Sequence, residues 1–184
     1  MKYDPDKHHR RSIRLKEYDY TQSGAYFITL CTWQRQHLFG EIANNGMQLT
    51  NYGEIIQVHW DSLPKHYHYV ELDEFIIMPN HVHGIIVLTD NPACKKRHGL
   101  PEIIRSFKTF SARRINKIRR LSGVPVWQRG YYEHIIRNEK SLMAIREYIV
   151  KNPLSWEEDE LYRHHPHAWD GQIKDLALPM NRIM

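Results

Sequence analysis

The chain of 184 residues lacks the features that mark secreted, membrane-embedded or fibrous proteins. It has only two cysteines, Cys31 and Cys94, and their wide separation does not suggest a disulfide framework. Its longest apolar runs, such as Ile85 to Leu88, are far shorter than the roughly 20 residues of a membrane-spanning helix. The segment Met1 to Arg14 is polar and lacks the apolar core of a signal peptide. We therefore expect a globular protein of a reducing cytoplasm, with no membrane association.

The basic residues are concentrated in one part of the chain. Lys and Arg number 26 against 21 Asp and Glu, a formal net charge of +5. Residues 95–120 hold ten basic side chains and only one acidic side chain, Glu102, whereas the last 32 residues are acidic on balance. Such clustering favours a polyanionic partner, because a bound phosphate chain releases counterions. The alternative is a solvated face of a helix.

The pattern of apolar and turn-forming residues predicts strands and helices in a mixed order. A helix is expected from Thr50 or Asn51 to Leu63, with Asn51 and Glu54 as a capping box, and a second from Pro101 to Ser122. A last helix, Glu139 to Lys151, is capped by Asn138 and stopped by Pro153. Strands are predicted at residues 25–33, 72–78 and 81–88, and a fourth from residues 126–127 and 132–136.

The order β, α, β, β, α, β, followed by one more helix, predicts an α+β fold. The most economical arrangement is a ferredoxin-like (RRM-like) antiparallel sheet with helices on one face, plus an extra C-terminal helix that carries Tyr148. We expect a basic N-terminal arm at residues 1–20, one domain at residues 21–153 and an acidic tail at residues 154–184. Many unrelated functions use this fold, so the fold alone does not define the function.

Two histidines, His81 and His83, are the first candidates for chemistry. On a strand, the period of two places both imidazoles on one face of the sheet, where they can share a divalent metal. The chain has 13 histidines, and an isolated pair of this kind is more often a pair of surface or core residues.

A tyrosine and an asparagine on the last helix are the second candidates. Tyr148 and Asn152 are four residues apart and therefore lie on the same helical face. A tyrosine hydroxyl can attack phosphorus, and an amide oxygen is a ligand for Mg²⁺ or Mn²⁺. A tyrosine in an amphipathic helix usually belongs to the core, and Tyr131 and Tyr132 are alternative nucleophiles on a predicted strand.

Three motifs in this order resemble a known family. The segments 77–87 (IMPNHVHGIIV), 127–138 (WQRGYYEHIIRN) and 148–153 (YIVKNP) resemble the single-tyrosine HUH transposases. The most similar branch is the bacterial REP-associated tyrosine transposases (IS200-like), which are linked to repetitive extragenic palindromes. The resemblance extends over residues 20–155.

The resemblance implies a metal-dependent reaction on DNA. His81, His83 and Asn152 match the ligands of Mg²⁺ or Mn²⁺, although many relatives have glutamine where this chain has Asn152. Tyr148 matches the nucleophile, which would cleave and rejoin single-stranded or hairpin DNA, including repetitive extragenic palindromes, through a 5′-phosphotyrosine. Some relatives act as homodimers with the tyrosine helix donated in trans, and others act alone. The expected location is the bacterial cytoplasm, at the nucleoid.

The basic helix would then hold the DNA backbone. The residues expected to do so are Arg105, Lys108, Arg113, Arg114, Lys117, Arg119 and Arg120. Four aromatic residues near the basic regions could stack bases: Tyr18, Tyr20, Trp127 and Tyr131. The alternative for each is packing in the core, and we favour this alternative for Trp127. Two other functions compete with the transposase: a nucleic-acid binder, either an RNA module or a domesticated, catalytically silent transposase, and a metal hydrolase that uses water.

Overall fold

The computed structural model describes residues 15, 17–44, 46–90, 97–159 and 161–162. The N-terminal arm before residue 15, Cys94 and the acidic tail beyond residue 162 lie outside the described residues, so the predictions made for them stay predictions.

The main sheet has four antiparallel strands in the order β4-β5-β1-β6, and a separate hairpin joins β2 to β3. The strands are β1 (Gly24–Cys31), β2 (Gly40–Ala43), β3 (Gly46–Leu49), β4 (Val70–Met78), β5 (His81–Leu88) and β6 (Tyr132–Ile136). The helices are α1 (Asn51–Asp61), α2 (Leu63–His66), α3 (Leu100–Arg119) and α4 (Glu139–Lys151), with 3₁₀ segments at Trp33–Arg35 and Asn152–Glu158. The predicted α+β architecture with a four-stranded antiparallel sheet is confirmed.

The two faces of the sheet bury different helices because side chains alternate along each strand. From β1, Tyr26 and Ile28 contribute to the larger core, which contains the buried residues of α1 and α3. Phe27 points to the opposite face and packs with Ile145 and Ile149 of α4. The extra C-terminal helix therefore lies across the sheet from the other two long helices.

Gly84 allows α1 to approach the sheet closely. Trp60 of α1 is buried and stacks on Phe75, with ring centroids 4.2 Å apart. A Cβ at position 84 would lie 2.6 Å from Cη2 of Trp60, which is closer than carbon atoms can approach. The glycine after the second histidine thus has a packing role on the face opposite the histidines.

The predicted start of α1 at Thr50 or Asn51 is confirmed, whereas its capping box, its end (Asp61 rather than Leu63) and the end of α3 were predicted wrongly. Thr50 caps α1 by accepting a hydrogen bond from the Gly53 amide at 3.3 Å, so the capping box expected from Asn51 and Glu54 is not what begins this helix. Helix α3 ends at Arg119, before the predicted Ser122. The reason is that Arg120 adopts the left-handed conformation, with φ of 55°, and terminates the helix.

The fourth strand was also predicted too long. Residues 126–127 do not belong to β6: Trp127 forms an isolated bridge with Thr32, just beyond the end of β1. The hairpin of β2 and β3 was not predicted. The last helix begins and ends where expected, and Asn138 caps it by accepting from the Ser141 amide at 2.8 Å. No helix in the described part of the chain is long and apolar enough to cross a membrane.

Candidate active site

His81 and His83 lie on the face of β5 that α4 covers, as the period of two predicted. Both imidazoles are fully buried, and their Nε2 atoms are 3.0 Å apart. Each Nδ1 has its own partner: Asn80 Oδ1 at 2.8 Å for His81 and Thr29 Oγ1 at 2.8 Å for His83. When Nδ1 of each ring donates to its partner, the two neighbouring Nε2 atoms both keep a lone pair that a cation can accept.

The surroundings of the two histidines favour uncharged rings. Burial lowers the pKa of His81 well below its usual value, the neighbouring His83 lowers it further, and the Asn152 amide opposes the fall. Burial alone lowers the pKa of His83 to about 3. Because metal binding requires the neutral imidazole, these rings need not lose a proton to bind a cation at neutral pH.

Helix α4 places Tyr148 beside the histidines. The hydroxyl of Tyr148 is 3.3 Å from Nε2 of His83, and its ring packs edge-on against Phe27. A bidentate ion pair fixes the helix to the sheet, because Arg146 donates to both carboxylate oxygens of Asp73 at 2.6 and 2.8 Å. Within one chain, the Tyr148 hydroxyl therefore lies next to the histidine pair.

The alternative nucleophile Tyr132 is placed differently. It packs against Phe27 from β6, and burial raises the pKa of its hydroxyl. Among the described residues, no hydrogen bond joins Tyr132 to His81 or His83. Of these two tyrosines, only Tyr148 has its hydroxyl next to an imidazole nitrogen.

Asn152 directly follows α4 and is buried. Its Nδ2 donates to Asp159 Oδ2 at 3.2 Å. Its Oδ1 is buried and accepts no hydrogen bond of normal geometry from the described residues, although the Asn152 side chain lies close enough to His81 to oppose the fall of that ring's pKa. An orphaned buried amide oxygen is costly unless a donor or a cation reaches it, so this atom fits a metal ligand.

Asp159 is a residue that the sequence analysis did not identify. One carboxylate oxygen of Asp159 and one ring nitrogen each of His81 and His83 lie within 4.8 Å of one another. Burial raises the pKa of Asp159, whereas hydrogen bonds from the Leu161 amide and Asn152 lower it. Its sequence position gave no signal, since it lies in a run of acidic residues (157–160) that resembles a solvated tail.

The donor set fits a divalent cation. Two imidazole nitrogens and one carboxylate oxygen lie within 4.8 Å of one another, and Asn152, which bonds the same carboxylate, adds a buried amide oxygen; a mixed set of this kind suits first-row divalent metals and Mg²⁺. The cluster indicates metal binding without selecting the ion.

The basic helix α3 presents only part of its charge to solvent. Arg113, Arg114, Lys117 and Arg120 are exposed, and Arg105 is exposed but paired with Glu102. Arg119 is half-buried. A role for these residues in DNA binding stays a prediction.

Lys108 differs from the other basic residues of α3. Its ammonium group donates to the carbonyls of Gln128 and Gly130, the latter at 3.0 Å, and burial lowers its pKa to about 8. In this structure the side chain ties α3 to the loop that precedes β6.

Two of the aromatic side chains proposed to stack bases belong to the core. Tyr20 and Trp127 are buried, and the indole of Trp127 donates to Ser111 Oγ at 3.0 Å. Core packing, the alternative weighed for these residues, is therefore what the structure shows for both. Tyr18 and Tyr131 are partly buried and pack against the same core.

The sequence matches the family model described as "Transposase IS200 like" over residues 22–152. The matched span contains His81, His83, Tyr148 and Asn152, and it ends before Asp159. An uncharacterized protein of Haemophilus influenzae is 44% identical over 180 residues, with 88% of this chain and 97% of that protein covered. A second H. influenzae protein, provisionally named a REP-associated tyrosine transposase, is 28% identical over 156 residues, with 82% of this chain and 81% of that protein covered.

A solved structure has a similar fold. It is described as a REP-associated tyrosine transposase bound to a REP hairpin, and it superposes with a TM-score of 0.56 at 19% sequence identity. The superposition covers 86% of this chain and 81% of that one. At this identity the likeness supports the fold, and the bound hairpin is a property of that protein.

Proposed function

The chain belongs to the IS200-like transposase family, and from this premise we propose that it is a metal-dependent DNA strand transferase with Tyr148 as nucleophile. Its substrate would be single-stranded or hairpin DNA, including repetitive extragenic palindromes, in the bacterial nucleoid. The observation that carries this proposal is the 3.3 Å separation between the Tyr148 hydroxyl and Nε2 of His83. The Tyr148 hydroxyl, which is the attacking group in this proposal, thus lies beside the candidate metal site.

The proposed reaction exchanges one phosphodiester for another. The Tyr148 oxygen forms a bond to the scissile phosphorus as the bond to the 3′-oxygen breaks, and the phenolic proton is lost while the 3′-oxygen gains one. The product is a 5′-phosphotyrosine and a free 3′-hydroxyl. Because the phosphodiester energy is kept in the protein–DNA bond, a second 3′-hydroxyl can reverse the step and join strands without ATP.

The residues around the tyrosine would have distinct roles. His81, His83 and Asn152 would hold Mg²⁺ or Mn²⁺, which when bound polarises a non-bridging phosphate oxygen. A tyrosine has an ordinary pKa near 10, so most of the phenol is protonated at neutral pH. The ion pair of Arg146 with Asp73 would keep the tyrosine helix over the histidines of the same chain, which favours action in cis over exchange within a homodimer.

The DNA partner is supported by charge and by relatives. Exposed arginines of α3 offer sites for backbone phosphates, and a relative with a similar fold binds a REP hairpin. We infer that this chain binds a hairpin or single strand through the exposed arginines of α3.

A second function is favoured by the burial of the site. His81 and His83 have no exposed surface in this conformation, so a DNA phosphate has no direct access to them. A catalytically silent, domesticated transposase that binds a specific DNA sequence would not need a phosphate to reach these buried histidines. The two functions differ in whether any protein–DNA bond forms.

The test is the formation of a covalent adduct. A pool of labelled hairpin and single-stranded DNAs is incubated with the wild type, Tyr148→Phe and Tyr132→Phe, in Mn²⁺, Mg²⁺ or chelator, and then boiled in detergent. The transferase predicts a metal-dependent adduct for the wild type and Tyr132→Phe, and none for Tyr148→Phe, which still binds DNA. Binding without an adduct in any condition would support the silent DNA-binding protein instead.

A further inference from the structure

The chain that follows α4 returns to the histidines. Residues Asn152–Glu158 form a 3₁₀ segment whose Trp156 packs on the ring of His81, with centroids 5.9 Å apart. Beyond it, Leu161 is buried, and its carbonyl accepts a hydrogen bond from Asn80 Nδ2 at 2.9 Å. Asn80 also orients His81 through its Oδ1 atom. We call residues 152–159 and 161–162 the return segment.

We propose that Asp159 of the return segment is a carboxylate ligand of the divalent cation held by His81 and His83. The proposal rests on the metal site of the proposed function and adds a ligand outside the span of the family match, which ends at residue 152. Its geometric basis is the approach of one ligand atom from each of the three residues to within 4.8 Å.

The chemistry of the site favours a carboxylate in this position. Two neutral imidazoles and an amide leave both positive charges of a cation uncompensated, whereas Asp159 removes one of them. Hard cations such as Mg²⁺ and Mn²⁺ prefer carboxylate oxygen. The hydrogen bonds from Asn152 Nδ2 and the Leu161 amide hold the two carboxylate oxygens in place and leave lone pairs on each for a cation.

The neighbouring acidic residues lack these features. Glu157 and Glu158 are exposed to solvent. Among the described residues, the metal-compatible cluster contains neither of them. Glu158→Gln is therefore a matched control, since it removes one negative charge at the adjacent position without touching the cluster.

Ligation by Asp159 would couple metal binding to the position of the return segment. The histidines belong to the sheet and Asp159 belongs to the return segment, so a shared cation joins the two. The cation should then protect the return segment from proteolysis at Trp156 or Leu161.

The experiment measures Mn²⁺ affinity directly. Free Mn²⁺ is followed by electron paramagnetic resonance while the wild type, Asp159→Asn, Glu158→Gln and His81→Ala are titrated in the absence of DNA. We expect Asp159→Asn to raise the Kd at least about tenfold and Glu158→Gln to leave it within about twofold. Mn²⁺ should slow chymotrypsin cleavage of the return segment in the wild type and in Glu158→Gln. It should not slow this cleavage in Asp159→Asn.

The outcomes separate this inference from the proposed function. An unchanged Kd for Asp159→Asn, with a weakened His81→Ala, would overturn the role of Asp159 and leave the histidine site standing. A wild type that binds no Mn²⁺ would overturn both. Melting temperatures in chelator show whether each variant is folded. If Asp159→Asn is unfolded, Asp159→Ser replaces it, because serine keeps an oxygen that can accept from the Leu161 amide.

Discussion

Thr29 offers a test of how the site is built, because it touches neither the nucleophile nor the proposed metal. Its hydroxyl lies 2.8 Å from Nδ1 of His83, and both residues are buried. If Nε2 of His83 binds the cation, Nδ1 carries the proton and donates it to Thr29. Thr29→Val keeps the shape of the side chain and removes this acceptor, so the bound ring would hold an unsatisfied buried N–H group.

The effect of Thr29→Val can be estimated both for metal affinity and for the stability of the protein without metal. Removing such a partner of a metal-binding histidine typically weakens metal affinity about 10- to 100-fold, or about 1.4–2.8 kcal/mol at 1.4 kcal/mol per factor of ten. Without metal, the proton of His83 can move to Nε2 and be donated to Nε2 of His81, 3.0 Å away. The loss of stability without metal should therefore be near the lower end of the about 1–3 kcal/mol cost of an unsatisfied buried group.

The assay compares the stabilisation produced by saturating Mn²⁺ in thermal unfolding, for the wild type and Thr29→Val. We expect a small decrease in melting temperature in chelator and a larger difference in Mn²⁺. Thr109→Val is the control, because the Thr109 hydroxyl donates to the Arg105 carbonyl within α3 and lies outside the histidine site. Equal destabilisation with and without metal would refute the assignment of Nε2 of His83 as a ligand atom.

Two further variants test the packing that positions the site. Gly84→Ala should lower the free energy of unfolding by about 1–3 kcal/mol, since the new methyl group overlaps Trp60; urea unfolding with an unchanged midpoint would contradict this packing. Arg146→Met should destabilise the protein slightly at neutral pH by removing the partner of Asp73. Because Arg146 lowers the pKa of Asp73 in the folded state, this contribution is present at neutral pH and lost as the pH falls through that lowered pKa. The two proteins should therefore converge in stability at acid pH, and a constant difference would contradict the assigned ion pair.

The parts of the site that could be predicted from sequence depend on local geometry. The period of two places His81 and His83 on one face of β5, and the turn of a helix places Tyr148 near Asn152. These relations hold within one strand or one helix, so they did not require knowledge of how the elements pack. That the two pairs meet came from the family resemblance, since no spacing within the chain encodes the docking of α4.

The parts that could not be predicted depend on long-range contacts. Asp159 reaches the histidines because Trp156 packs on His81 and Leu161 bonds Asn80 across the fold. Lys108 meets loop carbonyls from about 20 residues further along the chain, and nothing in its own helix distinguishes it from the exposed arginines. The hairpin of β2 and β3 was missed because its strands have only four residues each, too few for an alternating pattern to stand out from a turn region.

The most direct test of the central claim identifies the residue that carries DNA. After reaction with hairpin DNA and Mn²⁺, the adduct is digested with nuclease and trypsin, and the peptides are analysed by mass spectrometry. Cleavage after Arg146 and Lys151 releases the peptide 147–151 (EYIVK), in which Tyr148 is the only tyrosine. We predict a 5′-phosphonucleotide on this peptide. A nucleotide on the peptide 130–137 (GYYEHIIR), or no modified peptide at all, would contradict the assignment of Tyr148 as the nucleophile.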